Sequence, residues 1–87
     1  MTQPPRILFP PDGATIELEQ DDLESGVQLR AEGEGPLTWV INGAPVRGSL
    51  LAGETTWQPD SEGFARIVVV DARGRAARAQ VRIVVQR

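Results

Sequence analysis

The stretch LTWVINGAPV, residues 37–46, decides the fold of this chain. Its first half places large apolar side chains at every second position, which is typical of a β-strand with one buried face. The buried set would be Leu37, Trp39 and Ile41. Asn42 and Gly43 follow, and both residue types tolerate the positive φ angles of a type I′ turn. The stretch therefore predicts a β-hairpin whose first strand carries Trp39 into the core.

The two-residue period recurs elsewhere in the chain. It predicts strands whose inward residues are Ala14, Ile16 and Leu18, then Val27, Leu29 and Ala31, and finally every second residue from Ala77 to Val85. A short first strand is expected at Arg6–Phe9. No segment keeps the apolar spacing of an amphipathic helix through a window free of glycine and proline, so helix should be nearly absent.

Turn-forming residues separate these runs at regular intervals. They lie at Pro10–Gly13, Asn42–Gly43, Pro59–Gly63 and Asp71–Gly74, where Gly74 suits the left-handed position of a bulged hairpin. Short strands at this spacing indicate an all-β fold, an immunoglobulin-like antiparallel β-sandwich of about seven strands. The 87 residues are sized for one such domain, spanning 1–87, with residues 1–5 expected to be flexible.

The two tryptophans receive different interpretations. A domain of this size has a thin core and this one has no cysteine for a disulfide, so Trp39 is interpreted as a core anchor rather than a ligand platform. Trp57 lies in a run, Thr55–Pro59, that is too short to fix its face. It is either a half-buried structural residue, which is the favoured interpretation, or a sugar-stacking surface.

The side-chain inventory argues that this domain is not an enzyme and binds no cofactor. Histidine, cysteine and lysine are all absent, which excludes Ser–His and Cys–His nucleophile pairs, an ordinary zinc site and any catalytic lysine. Two loop segments are rich in carboxylates: Asp21, Asp22 and Glu24, and Asp60 with Glu62. They lack the spacing of a calcium-binding loop and are interpreted as solvated charge, so no metal site is expected.

The formal net charge of −3 conceals an uneven distribution. Residues 1–62 hold eleven acids and three arginines, whereas residues 63–87 hold one acid and six arginines. The domain as a whole is acidic and these arginines alternate with apolar residues, so nucleic acid is not an expected partner. The longest apolar run, Ile67–Val70, is far shorter than the roughly 18 residues of a membrane span, so no membrane contact by the domain itself is expected.

Three segments together resemble a known family: ILFPPDGATI (7–16), LTWVINGAPV (37–46) and WQPDSEGFARIVVVDARGRAARAQVRI (57–83). They look like the C-terminal domain of bifunctional, class A penicillin-binding proteins of the 1C subclass. The shared elements are the Pro-x-Asp-Gly turn at 10–13, Trp39 with Gly43, Trp57 with Pro59, Gly63, and Asp71 with Gly74 and Arg75. Asn42 stands where the family more often has Asp, and both suit the same turn.

The resemblance implies a parent that is a periplasmic, membrane-anchored peptidoglycan synthase with glycosyltransferase and transpeptidase domains elsewhere. This domain would be its non-catalytic tail, because none of the family's active-site motifs falls on these positions. The favoured function is an interaction module that docks on the parent's catalytic domain or on another cell-wall protein.

A docking face is predicted on the outer surface of one sheet. If the strands of Trp39, Ile67 and Val81 are neighbours, alternation turns outward Val40, Arg66, Val68, Val70, Arg78, Arg82 and Val84. An apolar centre rimmed by arginine is closer to an interface than to a wet sheet face, although valines also serve strand propensity. Two alternatives stay open: a carbohydrate module in which Trp57 stacks on peptidoglycan, and an immunoglobulin-like structural domain of another bacterial surface protein.

Overall fold

A computed structural model describes residues 4–19, 26–46, 54–59 and 62–86. These residues form eight strands and no helix. The strands are β1 (Arg6–Phe9), β2 (Thr15–Glu19), β3 (Val27–Glu32), β4 (Thr38–Ile41), β5 (Ala44–Pro45), β6 (Glu54–Trp57), β7 (Gly63–Val70) and β8 (Ala76–Gln86). The described part of the chain accordingly contains no helical segment capable of spanning a membrane.

The strands form two sheets that pack as a sandwich. A three-stranded sheet has the order β1-β3-β6, and a five-stranded sheet has the order β2-β8-β7-β4-β5. The predicted all-β sandwich is confirmed, as is the prediction that the strands of Trp39, Ile67 and Val81 are neighbours. The described residues form eight strands rather than about seven, because the two-residue β5 completes the hairpin after β4.

One pair of strands departs from the predicted antiparallel arrangement. β2 runs parallel to β8, with Glu17 beside Val84. The cause is the Pro10–Gly13 turn, which carries the chain from the β1 sheet across to the β8 sheet. Gln80 fixes that crossing, since its N–H donates to the Asp12 carboxylate at 2.8 Å and its carbonyl accepts from the Gly13 N–H at 2.8 Å.

Both predicted hairpin turns are confirmed. Asn42 and Gly43 have φ angles of 53° and 83°, as a two-residue turn between β4 and β5 requires. The connection between β7 and β8 contains Gly74 at a φ of 83°. It is closed by hydrogen bonds from the Asp71 N–H to the Arg75 carbonyl and from the Gly74 N–H to the Asp71 carbonyl.

The core lies between the two sheets and is centred on Trp39, which is 1% exposed. Its interpretation as a core anchor is confirmed. Around it pack the inward side chains of β2, β3, β4, β7 and β8 together with Leu37: Leu18, Val27, Leu29, Ala31, Ile41, Ala65, Ile67, Val69, Val81 and Ile83. The indole Nε1 of Trp39 is buried and has no hydrogen-bond partner among the described residues.

Some sequence-based expectations fall on residues outside the described ranges. Those are the acidic residues Asp21, Asp22, Glu24 and Asp60, and residues 1–3 of the segment expected to be flexible. Within the remainder of that segment Pro4 is exposed and Pro5 is buried.

Candidate docking face

The outer face of the five-stranded sheet gathers the side chains that alternation turns away from the core. Buried residues recur at every second position from Ala65 to Val69 in β7 and from Ala79 to Ile83 in β8, and the residues between them are exposed or half-buried. β4 shows the same alternation, and in β2 Ile16 and Leu18 are less exposed than the residues that flank them. All seven residues predicted for docking lie on this face: Val40, Arg66, Val68, Val70, Arg78, Arg82 and Val84. We call this surface the outer face.

Valines form the apolar part of the outer face. Val40 lies directly opposite Val68, and Val70 follows two residues later on the same strand. Val84 lies further along β8, beside Glu17. All four valines are half-buried. Directly opposed side chains in a sheet have Cβ atoms about 4.5–5.5 Å apart, so Val40 and Val68 form one contiguous apolar surface.

Three arginines accompany these valines and share one property. Arg66 lies opposite Gln80, Arg78 opposite Val68, and Arg82 opposite Phe64. All three arginines are exposed, and none of their side chains makes an ion pair or hydrogen bond with a described residue. Three unpaired guanidinium groups on one face are available to bind carboxylates of a partner.

A shallow hollow of about 610 Å³ lies on the outer face. Val40 and Val68 line it together with Arg66 and Arg78, and the Asn42–Gly43 turn lies on one side. Asn42 fixes that turn against β7: its N–H donates to the Arg66 carbonyl at 2.9 Å, and its side-chain oxygen accepts the Arg66 N–H at 3.0 Å. An aspartate at position 42 would offer the same acceptor oxygen to the Arg66 N–H, so either residue preserves the turn.

Phe64 is an additional outer-face residue that the sequence-based prediction missed. It is 69% exposed, more than any other large hydrophobic residue of the described chain, and lies opposite Arg82. The signal was present in the sequence, since the period that turns Arg66 and Val68 outward also turns Phe64 outward. Phe64 therefore adds an exposed aromatic side chain to the arginine-rich outer face.

Trp57 belongs to the other sheet. It lies opposite Val27, a core residue, and its half-buried side chain packs against the core cluster. A second hollow of about 610 Å³ lies beside it, and Gln58, Glu62 and Phe64 are among its lining residues. Because the indole is partly covered by the core, it does not present a fully exposed flat surface.

One end of the sandwich carries a network of charges around the β7–β8 turn. The buried Asp71 carboxylate accepts hydrogen bonds at 2.9 Å from the Arg73 N–H, the Arg75 N–H and the Arg75 guanidinium. Burial alone would raise the pKa of Asp71, but these hydrogen bonds and the Arg75 charge outweigh it and hold the pKa below its ordinary value. Glu34 pairs with Arg73 at 3.0 Å and Arg75 at 3.4 Å. These two arginines are therefore committed to intramolecular contacts.

No group of three or more metal-ligating side chains comes together among the described residues.

The comparisons with known proteins decide the family. The profile of the Penicillin-Binding Protein C-terminus Family matches residues 1–83. The chain belongs to this family. No curated protein sequence matches it.

The fold of this family member is similar to that of solved modules from another protein. Fibronectin(III)-like modules of Clostridium thermocellum CbhA superpose with a TM-score of 0.60 at 18% sequence identity. The match covers 94% of this chain and 95% of the module. At that identity the likeness establishes the immunoglobulin-like sandwich fold and nothing further.

The motifs shared with the family have structural roles in this member. The Pro10–Gly13 turn makes the sheet crossing, Trp39 fills the core, and Asp71 with Arg75 closes the β7–β8 turn. None of these side chains forms the apolar surface of the outer face. These motifs therefore account for the fold and lie apart from the valines of the outer face.

Proposed function

We propose that this chain is the non-catalytic C-terminal accessory domain of a bifunctional penicillin-binding protein of the 1C subclass. The parent is then a periplasmic, membrane-anchored peptidoglycan synthase whose glycosyltransferase and transpeptidase domains lie elsewhere. The domain docks through its outer face on another protein surface, either the parent's catalytic domain or another cell-wall protein. The observation that carries this proposal is the outer face itself, where four valines lie together with three arginines whose side chains pair with no residue of the described chain.

The composition of the outer face supports a protein partner. Interfaces are enriched in aromatic residues and arginine and have an apolar centre. The outer face has Val40 and Val68 at its centre, exposed Phe64, and three arginines whose side chains pair with none of the described residues. By contrast, Arg73 and Arg75 are held by Asp71 and Glu34 at the end of the sandwich. Arginine pairing thus distinguishes the outer face from the rest of the described surface.

The carbohydrate alternative has weaker support. A glycan-stacking site needs an exposed aromatic ring with hydrogen-bonding neighbours. Trp57 has polar neighbours, but its ring packs against the core next to Val27. The docking function is therefore the stronger proposal for this domain.

Cysteine labelling in the full-length parent tests the docking function directly. The chain has no cysteine, so Val68→Cys introduces one reporter at the centre of the outer face. If the face is docked about 90% of the time, a thiol-specific reagent will label it about tenfold more slowly in the parent than in the isolated domain. The matched control is Gln28→Cys, an exposed position on β3 of the other sheet, which should label equally fast in both.

Equal labelling of Val68→Cys in the parent and the isolated domain would contradict the docking function.

The parentage has its own test. The coding sequence upstream of Met1 is expected to contain the glycosyltransferase and transpeptidase motifs, and an unrelated upstream sequence would overturn that part of the proposal.

A further inference from the structure

The three arginines of the outer face lie at three successive levels along the strand direction. Arg78 and Arg82 are four residues apart on β8, and Arg66 on β7 lies opposite Gln80, midway between them. A β-strand rises about 3.4 Å per residue, so neighbouring levels are about 6.8 Å apart. The arginines therefore form a row about 14 Å long that alternates between β8 and β7, with one arginine at each level. We call it the arginine row.

The carboxylates beside the arginine row form no ion pair with it. Asp12 reaches the middle level, but its carboxylate accepts the Gln80 N–H at 2.8 Å and pairs with no arginine of the described chain. Glu17 lies beside Val84, one level beyond Arg82. An acidic group of a partner at that further level would be repelled by Glu17, so the row has places for three acidic groups.

The spacing of the arginine row distinguishes between anionic ligands. A single phosphate group needs donors that converge on one point, whereas these arginines are spread over about 14 Å. An extended peptide turns every second side chain to the same side at intervals of about 6.8 Å, so acidic residues at alternate positions would meet one arginine each. A helix repeats its face about every 5.4 Å and would be about 3 Å out of step after two turns.

We infer that the outer face binds an extended acidic segment of a partner protein, whose alternate carboxylates face Arg78, Arg66 and Arg82. The inference rests on the proposed function, because it names the chemistry of the partner on the proposed docking face. Charge complementarity carries it, since each carboxylate can accept two hydrogen bonds from one guanidinium group. The hollow lined by Val40 and Val68 lies beside the level of Arg78 and has room for an apolar side chain of the same partner.

The net charge of the chain makes the arginine row testable with short acidic peptides. The chain carries a formal charge of −3, so its overall charge repels such a peptide and any binding reports a local basic surface. Exposed ion pairs contribute little each, so we expect a dissociation constant of roughly 1 mM at low ionic strength. Added salt should weaken the binding because it screens these exposed charges.

A nuclear magnetic resonance titration of the isolated domain with two capped peptides tests the inference. The first peptide is Thr-Glu-Thr-Glu-Thr-Glu-Thr, and the second is Thr-Thr-Glu-Glu-Glu-Thr-Thr, which has the same composition and charge. In an extended conformation the second peptide turns its middle carboxylate away from the other two. The alternating peptide should bind roughly two- to fivefold more tightly and should shift the backbone amide signals of β7 and β8 but not those of β3.

Single substitutions identify the residues that hold the peptide. Arg66→Gln, Arg78→Gln and Arg82→Gln should each weaken binding of the alternating peptide roughly two- to fivefold, because each removes one ion pair. The matched control is Arg6→Gln, which removes one positive charge from an exposed position on β1 of the other sheet and should bind like wild type. Circular dichroism of each variant checks that these surface substitutions leave the fold intact.

Four results would overturn the inference. They are the absence of peptide binding at millimolar concentration, equal affinity for the two peptides, arginine variants that bind like wild type, and signal shifts confined to another surface. Vesicles of anionic lipid provide a comparison. If they bound the domain through the same arginines while the alternating peptide did not, the arginine row would have a membrane partner instead.

The full-length parent separates this inference from the docking function. Arg82→Gln should raise the labelling rate of the Val68→Cys reporter in the parent roughly two- to fourfold, relative to the same pair of substitutions in the isolated domain. A protected reporter that Arg82→Gln leaves unchanged would remove the acidic segment and leave the docking function standing. Peptide binding as expected, with no protection of the reporter in the parent, would do the reverse.

Discussion

Replacing Trp39 tests both the core and its unpaired indole nitrogen. Trp39→Ala removes the largest fully buried side chain of the described core, and such changes cost about 3–5 kcal/mol of unfolding free energy. Trp39→Phe loses about two or three buried atoms, worth roughly 2–3 kcal/mol with the cavity that remains. It also removes an N–H whose burial without a partner costs about 1–3 kcal/mol. The two terms nearly cancel, so Trp39→Phe should be within about 1 kcal/mol of wild type.

Urea unfolding followed by far-ultraviolet circular dichroism measures both variants without relying on tryptophan fluorescence. The expected order is wild type and Trp39→Phe close together, with Trp39→Ala far less stable or unfolded, because domains of this size have only about 5–10 kcal/mol in total. If Trp39→Phe were as damaging as Trp39→Ala, the indole nitrogen would have to contribute favourably. If Trp39→Ala kept wild-type stability, the core assignment would be wrong.

The remaining predictions concern a buried carboxylate, a close backbone approach and the second tryptophan. Asp71→Asn should be less stable than wild type at neutral pH. Because the folded-state pKa of Asp71 lies below its ordinary value of 3.8, this difference in stability should disappear as the pH falls from 3.8 through the folded-state pKa. Thermal melts of both proteins across that pH range check the prediction. Gly35→Ala should destabilise the domain more than Gly43→Ala. Both glycines have a positive φ, but only at position 35 would an added Cβ lie 2.4 Å from the Cβ of Ala72. Equal melting temperatures of the two variants would contradict this packing argument. Trp57→Ala should lower stability less than Trp39→Ala and leave retention on purified peptidoglycan unchanged, and loss of retention in a folded variant would favour the carbohydrate function.

The faces of the strands were predictable because they depend on local order alone. The two-residue period assigns Trp39 inward and Val40 outward without reference to any other strand. The Asn42–Gly43 turn was equally predictable, since its φ angles suit few other residue pairs. Once the order of β4, β7 and β8 followed from the sandwich, the seven outer-face residues followed as well.

The features that sequence did not predict depend on contacts between distant segments. The parallel pairing of β2 with β8 joins Glu17 to Val84, and it depends on Asp12 reaching Gln80 across the molecule. Whether an arginine is paired also depends on distant residues, since Glu34 reaches Arg73 from a separate loop. The two-residue period of β7 turns Phe64 outward, but its position opposite Arg82 follows only from the pairing of β7 with β8.

The parallel strand also changes the charge of the outer face. Without β2, the outward side chains of β7 and β8 would present arginines and no acidic residue within either strand. β2 comes from the acidic part of the sequence and places Glu17 beside the end of the arginine cluster. The division of charge along the chain thus becomes a division of charge across one surface. That division depends on the sheet crossing at Pro10–Gly13, because this crossing brings β2 beside β8.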